Sequence, residues 1–206
     1  MINLYNQDCL EAMKRMEDNS YDLAIVDPPY GLIESGGQTG GNTMETVMKR
    51  AFSLKQLKKW DTKPPKEYFE QLFRVSKNQV IWGGNYFDLP PTRCVVCWNK
   101  KQPWKNFSQW EMAWTSFSYP APMFEYDNRY PGKIHPTQKP VSLYAWVLNR
   151  FAKENDKILD THLGSGSIAI ACHNLGFDLD GYELDVDYYE AATKRLKEHQ
   201  RQLRLF

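Results

Sequence analysis

Asp27-Pro28-Pro29-Tyr30 closes the apolar run Tyr21–Val26 and sets a carboxylate, a stiff turn and an aromatic ring at one strand end. An aromatic amine is a poor nucleophile, because its lone pair is delocalised into the ring. Two acceptors aimed at the amino hydrogens favour a pyramidal nitrogen with its lone pair exposed. Asp27 supplies one acceptor and the Pro28 carbonyl the other. The prolines keep both in place by fixing φ and restricting the residue before them. Tyr30 is placed to stack on the ring that carries the amine. The string therefore reads as a device for holding an amino group, although four such residues alone also describe an ordinary strand-to-loop turn.

A second string, Asp160-Thr161-His162-Leu163-Gly164-Ser165-Gly166, ends the apolar run before it and precedes a helical stretch. Glycines let backbone approach a ligand closely, and a helix start offers unpaired N–H groups to a carboxylate. Glu183 follows at the end of the next strand, where a carboxylate can accept both hydroxyls of a ribose. The pattern suits a nucleoside cofactor. Gly164-Ser-Gly166-Ser-Ile-Ala169 also fits the dinucleotide fingerprint G-x-G-x-x-A, so an NAD-type site stays open, although Asp160 would crowd a pyrophosphate.

The two strings together resemble the amino-methyltransferases of DNA, which move a methyl group from S-adenosylmethionine to an exocyclic base nitrogen. Their order, amine turn first and cofactor loop last, resembles the permuted β group. His135-Pro136-Thr137-Gln138-Lys139-Pro140 is similar to the motif that precedes the cofactor strand there. The resemblance implies catalytic roles for Asp27, Pro28, Pro29 and Tyr30. It implies donor contacts from Asp8, His135, Thr137, Lys139, Asp160, Gly164, Ser165, Gly166 and Glu183, with Asp8 near the adenine and the His135–Lys139 stretch at the methionine end. The family usually has Pro-Phe where this chain has Thr161-His162, so the loop departs from the pattern there.

Aspartate at the first position of the turn resembles the adenine N6 enzymes, whereas cytosine N4 enzymes more often carry serine. The expected reaction is methylation of adenine N6 in DNA, on a base flipped out of the duplex. Cytosine N4, an RNA or protein amide, a silent DNA-binding relative and a dinucleotide-binding module are the alternatives.

Strands alternating with helices must position these residues. Candidate strands are Asn3–Gln7, Tyr21–Val26, Val80–Trp82, Cys94–Trp98, Glu111–Thr115, Lys157–Asp160 and Leu179–Glu183. Helices are expected from Cys9 to Met16, from Pro64 to about Lys77, from Pro140 to about Ala152, from Ser167 to about Leu175 and from about Asp187. The alternation argues an α/β domain over 1–206 with a mostly parallel, doubly wound sheet. The resemblance makes it a Rossmann-like methyltransferase fold with permuted motif order. Residues 31–62 (Gly-rich, then basic) and 117–133 (rich in proline and aromatics) read as mobile or DNA-facing insertions.

Composition bounds the rest. The 206 residues are 42% hydrophobic and 25% charged, as in an ordinary globular chain. No apolar run approaches the roughly 20 residues that cross a bilayer, and Met1-Ile2-Asn3-Leu4 shows no signal-peptide pattern, so a cytoplasmic location is expected. Cys94 and Cys97 sit in a strand-like run with no second cysteine pair, and no metal is expected. The net charge of +1 hides an asymmetry: residues 45–77 hold nine Lys/Arg against four Asp/Glu, and residues 178–190 hold six acids and no base. Lys100, Lys101, Lys105, Arg129 and Lys133 are candidates for phosphates. Trp104, Phe107 and Trp110 read as core. In the β group the target-recognition region precedes the His135 string, and here it is very short. Sequence recognition is then relaxed, carried by the 31–62 loop, or supplied by a partner; a homodimer is open.

Overall fold

The computed structural model describes residues 1–32, 61–103, 108–129 and 138–202. In chain order the strands are β1 (Ile2–Asn6), β2 (Tyr21–Val26), β3 (Ser76–Trp82), β4 (Val95–Asn99), β5 (Trp110–Thr115), β6 (Met123–Glu125), β7 (Lys157–Asp160) and β8 (Asp178–Glu183). The helices are α1 (Cys9–Met13), α2 (Lys66–Val75), α3 (Val141–Phe151), α4 (Ser167–Leu175) and α5 (Val186–Arg201), with a short 3-10 turn at Gly84–Tyr86. The strands form one sheet in the order β1-β8-β7-β2-β3-β5-β4-β6. The first five in that order are parallel, β5 runs antiparallel to both β3 and β4, and β6 is parallel to β4. The expected mostly parallel, doubly wound α/β sheet is the one observed.

Period-2 alternation explains the layers. Leu23 and Ile25 of β2 point into one apolar cluster with α3 and α4, whereas Ala24 and Val26 point into the other with α1 and α2. Both faces of β2 are thus covered, and its continuous apolar run is what a strand buried on two sides requires. In α2, Tyr68, Leu72 and Val75 recur at helical spacing and are fully or almost fully buried. The helix ends without a loop. Ser76 Oγ donates to Leu72 O at 2.6 Å, and the chain enters β3 directly.

This topology sets the position of the site. From β7 the chain winds through α4 to β8 on one side, and from β2 through α2 to β3 on the other. The order reverses between β2 and β7, and a crevice opens at the carboxyl ends of strands at such a point. Asp27 follows β2 there, and Asp160 ends β7.

Several expectations change. β3 begins at Ser76 and not at Val80, because α2 stops two residues before Lys77. α1 ends at Met13. β6 adds an edge strand inside 117–133, where the sequence shows little regular pattern. Trp110, expected in the core, is 55% exposed, since it pairs with Asn99 on the last rung of the β4–β5 ladder. Lys100, expected at phosphates, is turned inward onto Glu111 at 2.7 Å. Lys101 and Arg129 pair with Glu125 and Asp127. Residues 33–60 of the first insertion lie outside the described residues, as do Trp104, Lys105, Phe107 and Lys133. No described helix is long and apolar enough to cross a membrane.

Candidate active site

The turn after β2 is held by side chains. Tyr30 donates its hydroxyl to Asp27 Oδ1 at 2.7 Å, and Lys139 donates its ammonium to Asp27 Oδ2. The Tyr30 ring stacks on Tyr86 at 4.8 Å between centroids and meets Phe87 edge-on at 6.1 Å. Gly83 makes room for that ring. Its φ is +67°, and a Cβ built there would lie 2.2 Å from the Tyr30 ring. Burial, with the Asp27 charge second, pushes the Tyr30 hydroxyl well above the usual tyrosine range.

Lys139 is one of the most deeply buried charges among the described residues, its side chain 2% exposed. Besides Asp27 it faces Glu111 Oε2 at 3.4 Å, and its ammonium lies 5.1 Å from the centre of the Trp82 ring. Burial works against its charge, but Asp27 and Glu111 outweigh that and hold it above the usual lysine range. Burial likewise opposes the charge of Glu111, while Lys139 and Lys100 keep it below the usual carboxylate range.

The loop after β7 is held by backbone. Gly164 N donates to Glu183 Oε2 at 2.8 Å, and Asp185 N to Glu183 Oε1 at 2.9 Å. Gly164 and Gly166 have φ of +51° and +71°, the left-handed region that favours glycine. Gly166 opens α4 and packs so closely that an added Cβ would lie 3.1 Å from the Ala192 side chain. Ser165 is buried, its carbonyl accepting from Arg195 at 2.8 Å. Asp160 is buried and accepts from the His162 N–H at 3.0 Å. Desolvation raises its carboxyl to about 8; Asp27 and Glu183 add to this, the His162 N–H and Lys139 oppose it. Burial also raises Glu183 above its ordinary value.

Both strings open on one cavity of about 410 Å³, whose walls include Asp8, Asp27, Lys139, Gly164, Ser165 and Glu183. Pro29 also lines it. Asp160, Pro28, Tyr30 and Gly166 are not among its wall residues. Asp8, on the wall, also caps α1, its Oδ1 accepting from Leu10 N at 2.8 Å and Glu11 N at 3.1 Å. His135 and Thr137 lie outside the described residues. The departure from the family pattern is built into the wall: Tyr68 and Thr161 share a 2.6 Å hydroxyl contact, and Thr161 Oγ1 lies 2.9 Å from His162 Nδ1. Burial lowers His162 to about 4, so its ring is neutral at ordinary pH. Asn85 is exposed, and Trp98 is core with its indole N–H donated to Tyr126 O at 3.1 Å.

In the sequence Glu111 is marked only as the first residue of a candidate strand. The structure brings it from β5 to within 3.4 Å of the Lys139 ammonium, a contact that no local pattern in the sequence marks.

Known proteins share both the sequence pattern and the fold of this chain. A profile of the N6/N4 DNA methylase family matches residues 48–194, which takes in the Lys139 and Gly164 regions and begins after the Asp27 turn. The chain is 25% identical to the type II methyltransferase M2.MboI of Moraxella bovis, over 96% of this chain and 88% of that one. It is 24% identical to the type II methyltransferase M.HpaI of Haemophilus parainfluenzae, over 92% and 72%. Among solved structures, the M1.HpyAVI–SAM complex aligns with TM-score 0.59 and 20% identity over 95% of this chain and all of that one. The cytosine-N4-specific PvuII DNA methyltransferase aligns with TM-score 0.63 and 12% identity, over 96% and 90%. With a profile spanning most of its length and relatives aligned nearly end to end, the chain belongs to the N6/N4 family of DNA methyltransferases.

Proposed function

We propose that this DNA methyltransferase transfers a methyl group from S-adenosylmethionine to the exocyclic N6 of an adenine flipped out of DNA. The observation that carries the reading is that the amine-holding turn and the glycine loop, 130 residues apart in sequence, open on the same cavity.

The lining of that cavity fits the donor. S-adenosylmethionine carries a sulfonium and an ammonium, and the wall presents Asp8, Asp27 and Glu183. The same wall disfavours the pyrophosphate of a dinucleotide, which would meet carboxylates where it needs donors. Glu183 would hold the ribose, Asp8 the adenine side, and Gly164–Gly166 the approach of backbone to the ligand. His135 and Thr137 would join Lys139 at the methionine end. When bound, the donor supplies an electrophilic methyl carbon.

The chain's own residues orient the nucleophile. Asp27 and the Pro28 carbonyl accept the two amino hydrogens, Tyr30 stacks on the base, and Pro29 stiffens the turn. Placement and a dry, preorganised acceptor pair are the main contributions to rate. Flipping costs a few kcal/mol, offset by stacking and by contacts to the base edge. The assignment of adenine rests on Asp27 itself, the residue that resembles the N6 enzymes.

The test is incubation of the purified protein with methyl-labelled S-adenosylmethionine and unmethylated genomic DNA, followed by digestion to nucleosides. Label in N6-methyldeoxyadenosine supports the reading. Label in N4-methyldeoxycytidine overturns the base, and label only in added RNA or protein overturns the substrate.

A further inference from the structure

Both oxygens of Asp27 already accept a hydrogen bond, Oδ1 from Tyr30 and Oδ2 from Lys139. An entering amino group has to share one of these oxygens with its present donor, and sharing loosens the hold on that donor. Glu111 provides the way out. Its Oε1 is taken by Lys100 at 2.7 Å, but its Oε2 is buried and accepts no hydrogen bond. That oxygen stands 3.4 Å from the Lys139 ammonium. A shift of roughly half an ångström would bring the pair into hydrogen-bond range. The ion pair of Glu111 with the ammonium is long, so Oε2 has room to take a closer one.

We propose that Glu111 is a positioning residue that acts through Lys139, receiving its ammonium when the target amine takes Oδ2 of Asp27. Lys139 then keeps a carboxylate partner in both arrangements and is never left as a buried unpaired charge. The two arrangements differ in which carboxylate the ammonium favours, and the amine tips the choice. Lys100 holds Glu111 in place from the far side. The proposal rests on Asp27 as the amine acceptor.

A double-mutant cycle at Glu111 and Lys139 tests it, with methyl transfer to DNA and donor affinity both measured. With Glu111→Gln, Lys139 has no charged seat except Asp27. The expected result is a kcat loss of about 10-fold or more, with the donor Kd and the KM for DNA each within about 3-fold. In the Lys139→Gln background, Glu111→Gln should change kcat by less than about 3-fold, because the ammonium it served is gone. Equal losses in both backgrounds, or an unchanged kcat in the single variant, overturn the proposal. If Glu111→Gln does not fold, Glu111→Asp runs the same cycle, since it keeps a charge for Lys100 and withdraws the carboxylate from Lys139. Asp27→Ala is the control: retained turnover there overturns the amine-acceptor reading, whereas lost turnover with an additive cycle overturns only the role of Glu111.

Discussion

The turn after β2 and the loop after β7 sit side by side at the strand ends, yet they are built by opposite means. The turn is fixed by side chains that come from afar: Lys139 is 112 residues from Asp27, and the Tyr86 ring lies beyond the whole of α2 and β3. The loop is fixed by its own backbone, with glycines in the left-handed region and N–H groups of Gly164 and Asp185 on Glu183. A group that must polarise a reacting atom needs charge held rigidly. A group that must admit a large ligand needs close, uncluttered backbone. Substitutions at the two should therefore separate binding from chemistry.

The largest effect is expected at the turn. Asp27→Ala should lower turnover by at least about 100-fold, the scale of a lost preorganised partner in a dry site. Donor Kd, measured by calorimetry, should stay within about 3-fold. Gly83→Ala attacks the same turn from behind, since its Cβ would meet the Tyr30 ring and its φ is positive. Turnover should fall about 10- to 100-fold through displacement of the ring, and thermal unfolding should report a loss of about 1–3 kcal/mol. A normal turnover would show that Tyr30 has no part in placing the base.

At the loop the sign of the effect moves to binding. Glu183→Ala should weaken donor binding by about 1.5–3 kcal/mol, the value of hydrogen bonds to a charged group. Its kcat at saturation should hardly change. The smallest effect is a pH dependence. Asp160 is raised to about 8, so below that pH it is largely protonated in the free protein. A cationic donor favours the ionised form. Donor affinity should therefore climb with pH, by at most about tenfold per unit, and level off above about 8. Stability of the donor-free fold should run the other way. A raised carboxyl contributes most below the ordinary carboxylate range, and that contribution is lost as pH rises toward 8. Asp160→Asn should flatten both profiles, and a slope that survives the substitution assigns it to another group.

How much of this was legible in the sequence follows the same division. The donor loop could be read from a local string, because glycines and a strand-end carboxylate carry their geometry with them. The strand Tyr21–Val26 was equally plain, since burial on both faces leaves the apolar run Leu23–Val26. The turn could be named but not wired. Nothing in the sequence around Lys139 says that its ammonium reaches Asp27, and nothing around Glu111 says that it faces Lys139. Those contacts arise only when β5 is laid antiparallel to β3 and the chain before α3 crosses the end of β2. Likewise β6 is too short for a period to show, and the exposure of Trp110 depends on where its ladder ends. Pairing across a sheet is non-local, and composition carries little of it.

The most direct measurement is single-turnover methyl transfer to DNA as a function of donor concentration, for the wild type, Asp27→Ala and Glu183→Ala. Saturating donor should restore Glu183→Ala to within about threefold of wild type and leave Asp27→Ala at least about 100-fold slow. Rescue of Asp27→Ala by donor, or a Glu183→Ala rate that stays low at saturation, would contradict this division of roles.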